Sequence, residues 1–488
     1  MSRPQIHTLG ELKSSGYKSI SVKDELRKNL ILLLKQDKTP FTGIYGFEDT
    51  VIPDIERAIL SRHNILLLGL RGQAKTRIAR TMVNLLDEYM PIVAGSELND
   101  DPLNPVSNYA IELIKSMGDE TPISWIHRSD RYVEKLATPD VTVADLIGDI
   151  DPIKAASLKL HYNDEKVIHY GLVPRSNRCI FVINELPDLQ ARIQVSLFNI
   201  LQEGDIQIRG FKVRLNLDIE FLFTANPEDY TNRGSIITPL KDRIDSQILT
   251  HYPTSIEVAS MITEQEAKLT DDQIKTVNIH PDLKRLVEMI VFNARESELI
   301  DDKSGVSARL SISAFENLIS AAERRMLLNK EKSAEVRIGD LWGVIPSITG
   351  KVELVYEGEQ EGPYNVAIQI INEGIKELFL EHFPNPDALK KGSEKDPYGV
   401  LRQWFAAGNF VDLLLNEPQK SFEKKLKSIK GSDKLIDNNE VKKKDEMFFA
   451  ELLLHGLAAF EVITKELMDN QFTFKDQLAD IFNDLNEN

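Results

Sequence analysis

Apolar residues along this chain change their spacing at places that mark out its elements. An unbroken apolar run, Ile65–Leu68, stops at Gly69-Leu70-Arg71-Gly72-Gln73-Ala74-Lys75-Thr76, and apolar residues then recur at helical spacing through Leu86. This predicts a buried strand, a glycine-punctuated loop and a helix. Arg178–Glu185 is a second apolar run, rich in β-branched residues and ending in Asn184-Glu185, and Leu217–Ala225 is a third, ending at Asn226-Pro227. Across residues 41–253 strand and helix signals alternate, as in an α/β core with a parallel sheet. Ahead of it, in residues 1–40, Val22–Lys35 carries an apolar face at helical spacing. Beyond Pro253, Ile256–Ile262, Pro281–Arg295 and Ser311–Leu328 have helical periodicity, predicting an α-helical lid over 254–350. Residues 351–488 predict a further helical region: an amphipathic helix at Val366–Phe383, an aromatic-bearing helix within Asp396–Leu415, and a strongly apolar helix over Met447–Met468. Lys390–Pro397 reads as a polar linker. The stretch 416–446, lysine-rich and low in apolar content, reads as exposed and partly disordered; because acidic residues interleave its lysines, a solvated linker or surface helix is favoured over a nucleic-acid contact.

The strand–loop–helix around Gly69 is the context a phosphate-binding loop requires. Gly69 and Gly72 allow a tight turn that aims amide N–H groups at phosphate oxygens. Lys75 then pairs with the β- and γ-phosphates, Thr76 offers its hydroxyl to Mg²⁺, and the helix start adds its positive dipole end. Ala74 stands where such a loop usually has glycine before the lysine; an alanine suits a helical first turn. Glu185, delivered to the end of a buried strand, is placed to orient and deprotonate a water attacking the γ-phosphate. Asn184 stands where an aspartate usually holds Mg²⁺ through its water shell. Its amide can accept a hydrogen bond from a metal-bound water but brings no charge, so weaker Mg²⁺ retention is expected. At the third strand tip, the Asn226 amide can hydrogen-bond the attacking water or the γ-phosphate.

Composition narrows the class. The single cysteine, Cys179, lies within an apolar run, which excludes a disulfide scaffold and fits a reducing cytoplasm. A formal net charge of −17 argues against general affinity for nucleic acid or anionic membranes. No apolar stretch reaches membrane-spanning length, and the opening residues lack the apolar core of a secretory signal. A cytoplasmic protein with neither nucleic-acid nor membrane partners is expected.

Taken in order, these motifs resemble an AAA+ ATPase, and more narrowly the branch containing the ATPase subunit of magnesium chelatase and the MoxR-type ATPases. Phe41–Gly46 resembles the entry segment that cradles adenine, which implies a binding role for Tyr45 and Gly46. Gly69–Thr76 matches the Walker A loop and Ile180–Glu185 the Walker B strand. Thr224–Pro227 resembles the first sensor, Leu240–Arg243 the arginine-finger segment, and Val306–Arg309 the second sensor. Three further passages, Pro91–Pro105, Leu136–Ala155 and Tyr170–Val173, resemble loops of the chelatase side.

The resemblance implies a P-loop AAA+ core, ATP and Mg²⁺ as cofactors, and a homo-oligomeric ring. Arg243 then reaches the γ-phosphate held by a neighbouring copy, and Arg309 contacts phosphates from the lid. It further implies a partner protein with a von Willebrand A-like metal-adhesion domain, and metal loading or remodelling of a client as the output. Gln202–Arg214 reads as a hairpin, either an ordinary one or the partner-engaging insert of this branch. The alternative of another class is a nucleotide-binding regulatory scaffold with weak or no hydrolysis, motivated by Asn184 and Ala74. An enhancer-binding transcriptional activator is disfavoured, since its G-A-F-T-G-A loop is absent.

Overall fold

The computed structural model describes the chain apart from residues 1–3, 152, 155–156, 158–166, 209–213, 228–233, 389–395, 438–442, 444 and 477–488. The expected linker at Lys390–Pro397 and the tip of the hairpin at 209–213 therefore lie largely outside the described residues. The chain divides into two units, Met1–Tyr252 and Pro253–Asn488.

Five strands form the sheet of the first unit: β1 (Ile65–Leu68), β2 (Tyr132–Leu136), β3 (Cys179–Asn184), β4 (Ile219–Ala225) and β5 (Ser246–Leu249). All neighbours are parallel, in the order β5-β1-β4-β3-β2. Their continuous apolar sequences follow from burial on both faces. Alternate residues feed separate cores: Leu66, Phe181, Phe221 and Phe223 on one side, Ile65, Leu67, Ile180, Val182 and Leu222 on the other. The second core also takes the apolar faces of α1 (Val22–Leu34), α2 (Val51–Leu60) and α3 (Lys75–Thr81). The N-terminal segment is thus packed into the first unit. A buried, bidentate Arg131–Glu25 pair (2.7 and 2.6 Å) fastens α1 to the sheet.

In the second unit one apolar core joins the lid region to the C-terminal region. It is built by α4 (Pro281–Glu296), α5 (Arg309–Leu328), α6 (Pro363–His382) and α7 (Glu446–Ala459). The strongly apolar segment ends as a helix at Ala459 rather than Met468. Glu461 takes a left-handed turn (φ 55°), and the chain then enters a three-stranded antiparallel sheet of β6 (Val411–Leu414), β7 (Thr464–Met468) and β8 (Gln471–Lys475). Asp469 and Asn470, both with positive φ, make the two-residue hairpin turn between β7 and β8. Within 416–446, residues 416–437 are also more ordered than their composition suggests. Gln419–Lys427 is helical, and Phe422, Leu426, Ile429, Leu435 and Ile436 are buried, so Lys424, Lys427 and Lys430 line the outer face of a packed segment. Among the described residues no helix is long and apolar enough to cross a membrane.

Candidate functional site

The register of the parallel sheet decides which loops can meet. Leu68 pairs with Ala225 and with Leu249, Phe223 with Ile183, and Leu136 with Asn184. The residues that follow, Gly69, Glu185, Asn226 and Thr250, therefore emerge together at the carboxyl edge, where open α/β sheets bind ligands. Only β4 separates β1 from β3, so Gly69 and Glu185 stand about 10 Å apart at the usual interstrand spacing.

Gly69 is fixed by close approach rather than by its dihedral angle. A Cβ there would overlap the Thr250 hydroxyl and the Gln73 carbonyl oxygen. Gly72 has φ 77°, which a side chain disfavours. The loop is clamped from the end of β5: the Thr250 hydroxyl donates to Gln73 Oε1 at 2.7 Å, and the Tyr252 hydroxyl donates to Arg71 O at 2.9 Å. Lys75 is buried, and its ammonium donates to Gly69 O and to Leu70 O (3.0 Å for the latter). Its charge therefore sits inside the turn of the loop. Tyr45 and Gly46 belong to a segment held to the same end of β5, because Phe47 packs edge-on to His251 and Thr50 hydrogen-bonds His251 Nε2 at 2.8 Å.

Ala74 departs from the helical first turn expected of an alanine. Its backbone is left-handed (φ 55°, ψ 12°) and α3 begins only at Lys75. The turn that presents the loop needs a positive φ here, and a Cβ in that region costs about 1–2 kcal/mol. Ala74→Gly is therefore expected to raise Tm by about 2–4 °C in thermal denaturation, since it releases about 1 kcal/mol of strain. An unchanged or lower Tm would show the alanine to be unstrained.

At the β3 tip, Glu185 is also left-handed (φ 54°, ψ 51°), a conformation that carries strain in a non-glycine residue. Its N–H donates to Thr224 Oγ1 at 3.2 Å, and the Thr224 hydroxyl donates to Asn184 Oδ1 at 3.0 Å. The other face of the Asn184 amide is committed as well: Nδ2 donates to Glu134 Oε1 at 2.5 Å. Glu134 Oε2 accepts from Arg80 Nη2 and Nε (3.0 and 3.1 Å) and from the Tyr132 hydroxyl (3.2 Å). Burial, reinforced by the Glu134 carboxylate, pushes the Tyr132 hydroxyl above the ordinary tyrosine range, so it remains a donor. Asn226 is buried at the β4 tip between the two loops.

The donor set is one Mg²⁺ accepts: the Thr76 hydroxyl, the Asn184 amide oxygen, and the Glu134 and Glu185 carboxylates are all hard oxygen ligands. Among the described residues no group of three or more His, Cys, Asp or Glu could hold a metal alone.

One predicted residue of the first unit is not brought into this cluster. Arg243 precedes Ser246, the first residue of β5, and so lies at the amino edge of the sheet, away from the loop by the strand's length of roughly 10 Å or more. There it donates to Pro239 O (2.7 Å) and Gln202 Oε1 (3.2 Å) and lies over the Phe198 ring. Arg309 opens α5 in the second unit, with its N–H on Ser307 Oγ at 3.1 Å. Sequence reasoning missed Glu134, Arg80, Thr250 and Tyr252. The neutral Asn184 was the one signal that should prompt a search for a carboxylate on an adjoining strand.

No protein-family model and no curated protein matches the chain. Among solved structures it is similar to a candidate ATPase of Cytophaga hutchinsonii (19% identity, 74% of this chain and 97% of that one, TM-score 0.29). It is also similar to NtrX of Brucella abortus in complex with ADP (13%, 86% and 71%, 0.38). A third similarity is to the complex of subunits BchI and BchD of magnesium chelatase (19%, 66% and 98%, 0.33). Strand order and motif placement give the first unit an AAA+ ATPase-like fold.

Proposed function

We propose that this protein is an ATP-hydrolysing AAA+ motor of the magnesium-chelatase/MoxR type, working as a homo-oligomeric ring. The observation that carries this reading is the meeting of the Gly69–Thr76 loop, Glu185 and Asn226 at one sheet edge. In this reading backbone amides of the loop and the Lys75 ammonium hold the triphosphate, and Tyr45-Gly46 sits by the base. Glu185 takes the proton of the attacking water, and Asn226 orients that water. Thr76 and Asn184 would hold Mg²⁺, which when bound would neutralise charge on the phosphate oxygens. Arg243 completes the pocket of another copy, a role that its place at the far edge supports, and Arg309 contributes from the lid.

The chelatase-like passages support the finer assignment. Gly148–Ile150 pairs antiparallel with Ile168–Tyr170, so two of those passages form one unit. In the third, buried Asp100 accepts from the N–H groups of Val106 and Ser107 (2.6 and 2.8 Å), which orders the loop. A partner with a metal-adhesion domain, and metal loading or remodelling as output, follow from the same likeness. A cytoplasmic location accords with it. The second reading, a regulatory scaffold with weak hydrolysis, is favoured by the commitment of the Asn184 amide to Glu134. Steady-state phosphate release separates the two. The motor reading expects turnover by the wild type that Lys75→Ala abolishes; the scaffold reading expects background rates in both, with nucleotide still bound.

A further inference from the structure

We propose that Glu134 supplies the negative charge at the Mg²⁺ position that Asn184 lacks, so that the strand beside β3, rather than β3 itself, provides the second carboxylate of the pocket. The inference rests on the nucleotide-hydrolysing reading above and adds a residue to it.

Three observations place Glu134 there. Register pairs Leu136 with Asn184 and Glu134 with Val182, and side chains alternate between faces. Glu134 and Asn184 consequently share a face as diagonal neighbours, and the 2.5 Å hydrogen bond from Asn184 Nδ2 to Glu134 Oε1 joins them. Arg80, which grips Glu134 Oε2, lies four residues beyond Thr76 on α3, the same face one turn on. Glu134 therefore faces the side of α3 that carries the Thr76 hydroxyl, about 6 Å further along the axis. Lastly, the Asn184 amide is oriented by two partners. Its oxygen accepts from Thr224 and its nitrogen donates to Glu134, so the carboxylate is drawn to the strand tip rather than left in solvent. An aspartate at position 184 would repel Glu134 at this distance, whereas an asparagine recruits it. The two residues act as one unit that places a single carboxylate at the strand tip.

The alternative is that Glu134 serves only to pair with Arg80. Binding of a fluorescent ATP analogue to the full chain, titrated with Mg²⁺ and repeated in EDTA, distinguishes the roles without requiring turnover. Glu134→Gln is expected to raise the half-saturating Mg²⁺ concentration about tenfold or more, as losses of outer-shell carboxylates do. Affinity in EDTA should stay within about twofold, and Tm without nucleotide should be close to wild type. Adding Asn184→Asp to Glu134→Gln is expected to restore the wild-type Mg²⁺ dependence. Arg80→Ala, which breaks the ion pair but keeps the carboxylate, is expected not to raise the Mg²⁺ requirement. An unmoved Mg²⁺ requirement in Glu134→Gln, or the same increase in Arg80→Ala, overturns the proposal while leaving nucleotide binding intact. A wild type that binds no nucleotide with or without Mg²⁺ overturns the functional reading and this inference together.

Discussion

Glu185→Gln is expected to lower ATP turnover by roughly 10²–10⁴-fold, the range lost when a positioned general base is removed. The substitution keeps the shape of the side chain and removes its ability to take a proton. The left-handed backbone of Glu185 and the chain of hydrogen bonds from its N–H through Thr224 to Asn184 do not depend on the carboxylate, so the strand tip is retained. Steady-state phosphate release at saturating Mg²⁺ and ATP measures the effect. A loss smaller than about tenfold would mean that another group accepts the proton, and Glu134 would be the residue to examine.

Arg243→Ala carries the other large effect, a loss of roughly 10³–10⁵-fold if its guanidinium neutralises charge developing on the transferred phosphoryl group. The sheet gives a reason to expect this from another copy. Arg243 stands before the first residue of β5 while the loop follows the last residue of β1, so within one chain the two lie at opposite edges of the sheet. A mixture of Arg243→Ala and Glu185→Gln chains is then expected to recover activity that neither has alone, because some junctions combine an intact Glu185 with an intact Arg243. Unchanged turnover in Arg243→Ala would leave its contacts with Pro239, Gln202 and Phe198 as its whole role.

How far the sequence revealed this site depended on the range of the interactions concerned. The loop from Gly69 to Thr76 and the tip at Asn184-Glu185 were legible because each is encoded within one strand and its next turn. The left-handed backbone of Ala74 was not, since the residue's helical preference says nothing about the sign of φ that the turn imposes. Glu134 was hidden for a different reason. In a parallel sheet neighbouring strands are joined by long crossovers, so the partner of Asn184 can be named only once strand order is known. In the second unit, apolar content over Met447–Met468 suggested a single helix. The Asp469-Asn470 turn between the alternating segments Thr464–Met468 and Gln471–Lys475 was the local signal for a hairpin. Likewise, the lysines of 416–446 suggest an exposed linker or surface helix, although Phe422 and Leu426 lie four apart, one helical turn, and mark a buried face.

A triphosphate held in the turn around Lys75, with Glu185 beside it, is the central feature of the proposed function. Calorimetric titration of Mg·ATP into the Glu185→Gln chain, with and without Lys75→Ala, addresses it most directly, because hydrolysis no longer obscures binding. The account predicts one nucleotide per chain for Glu185→Gln, and an affinity at least about tenfold weaker when the ammonium is removed, the value of a lost charge-assisted hydrogen bond. Absence of binding to Glu185→Gln, or binding that Lys75→Ala leaves unchanged, would contradict it.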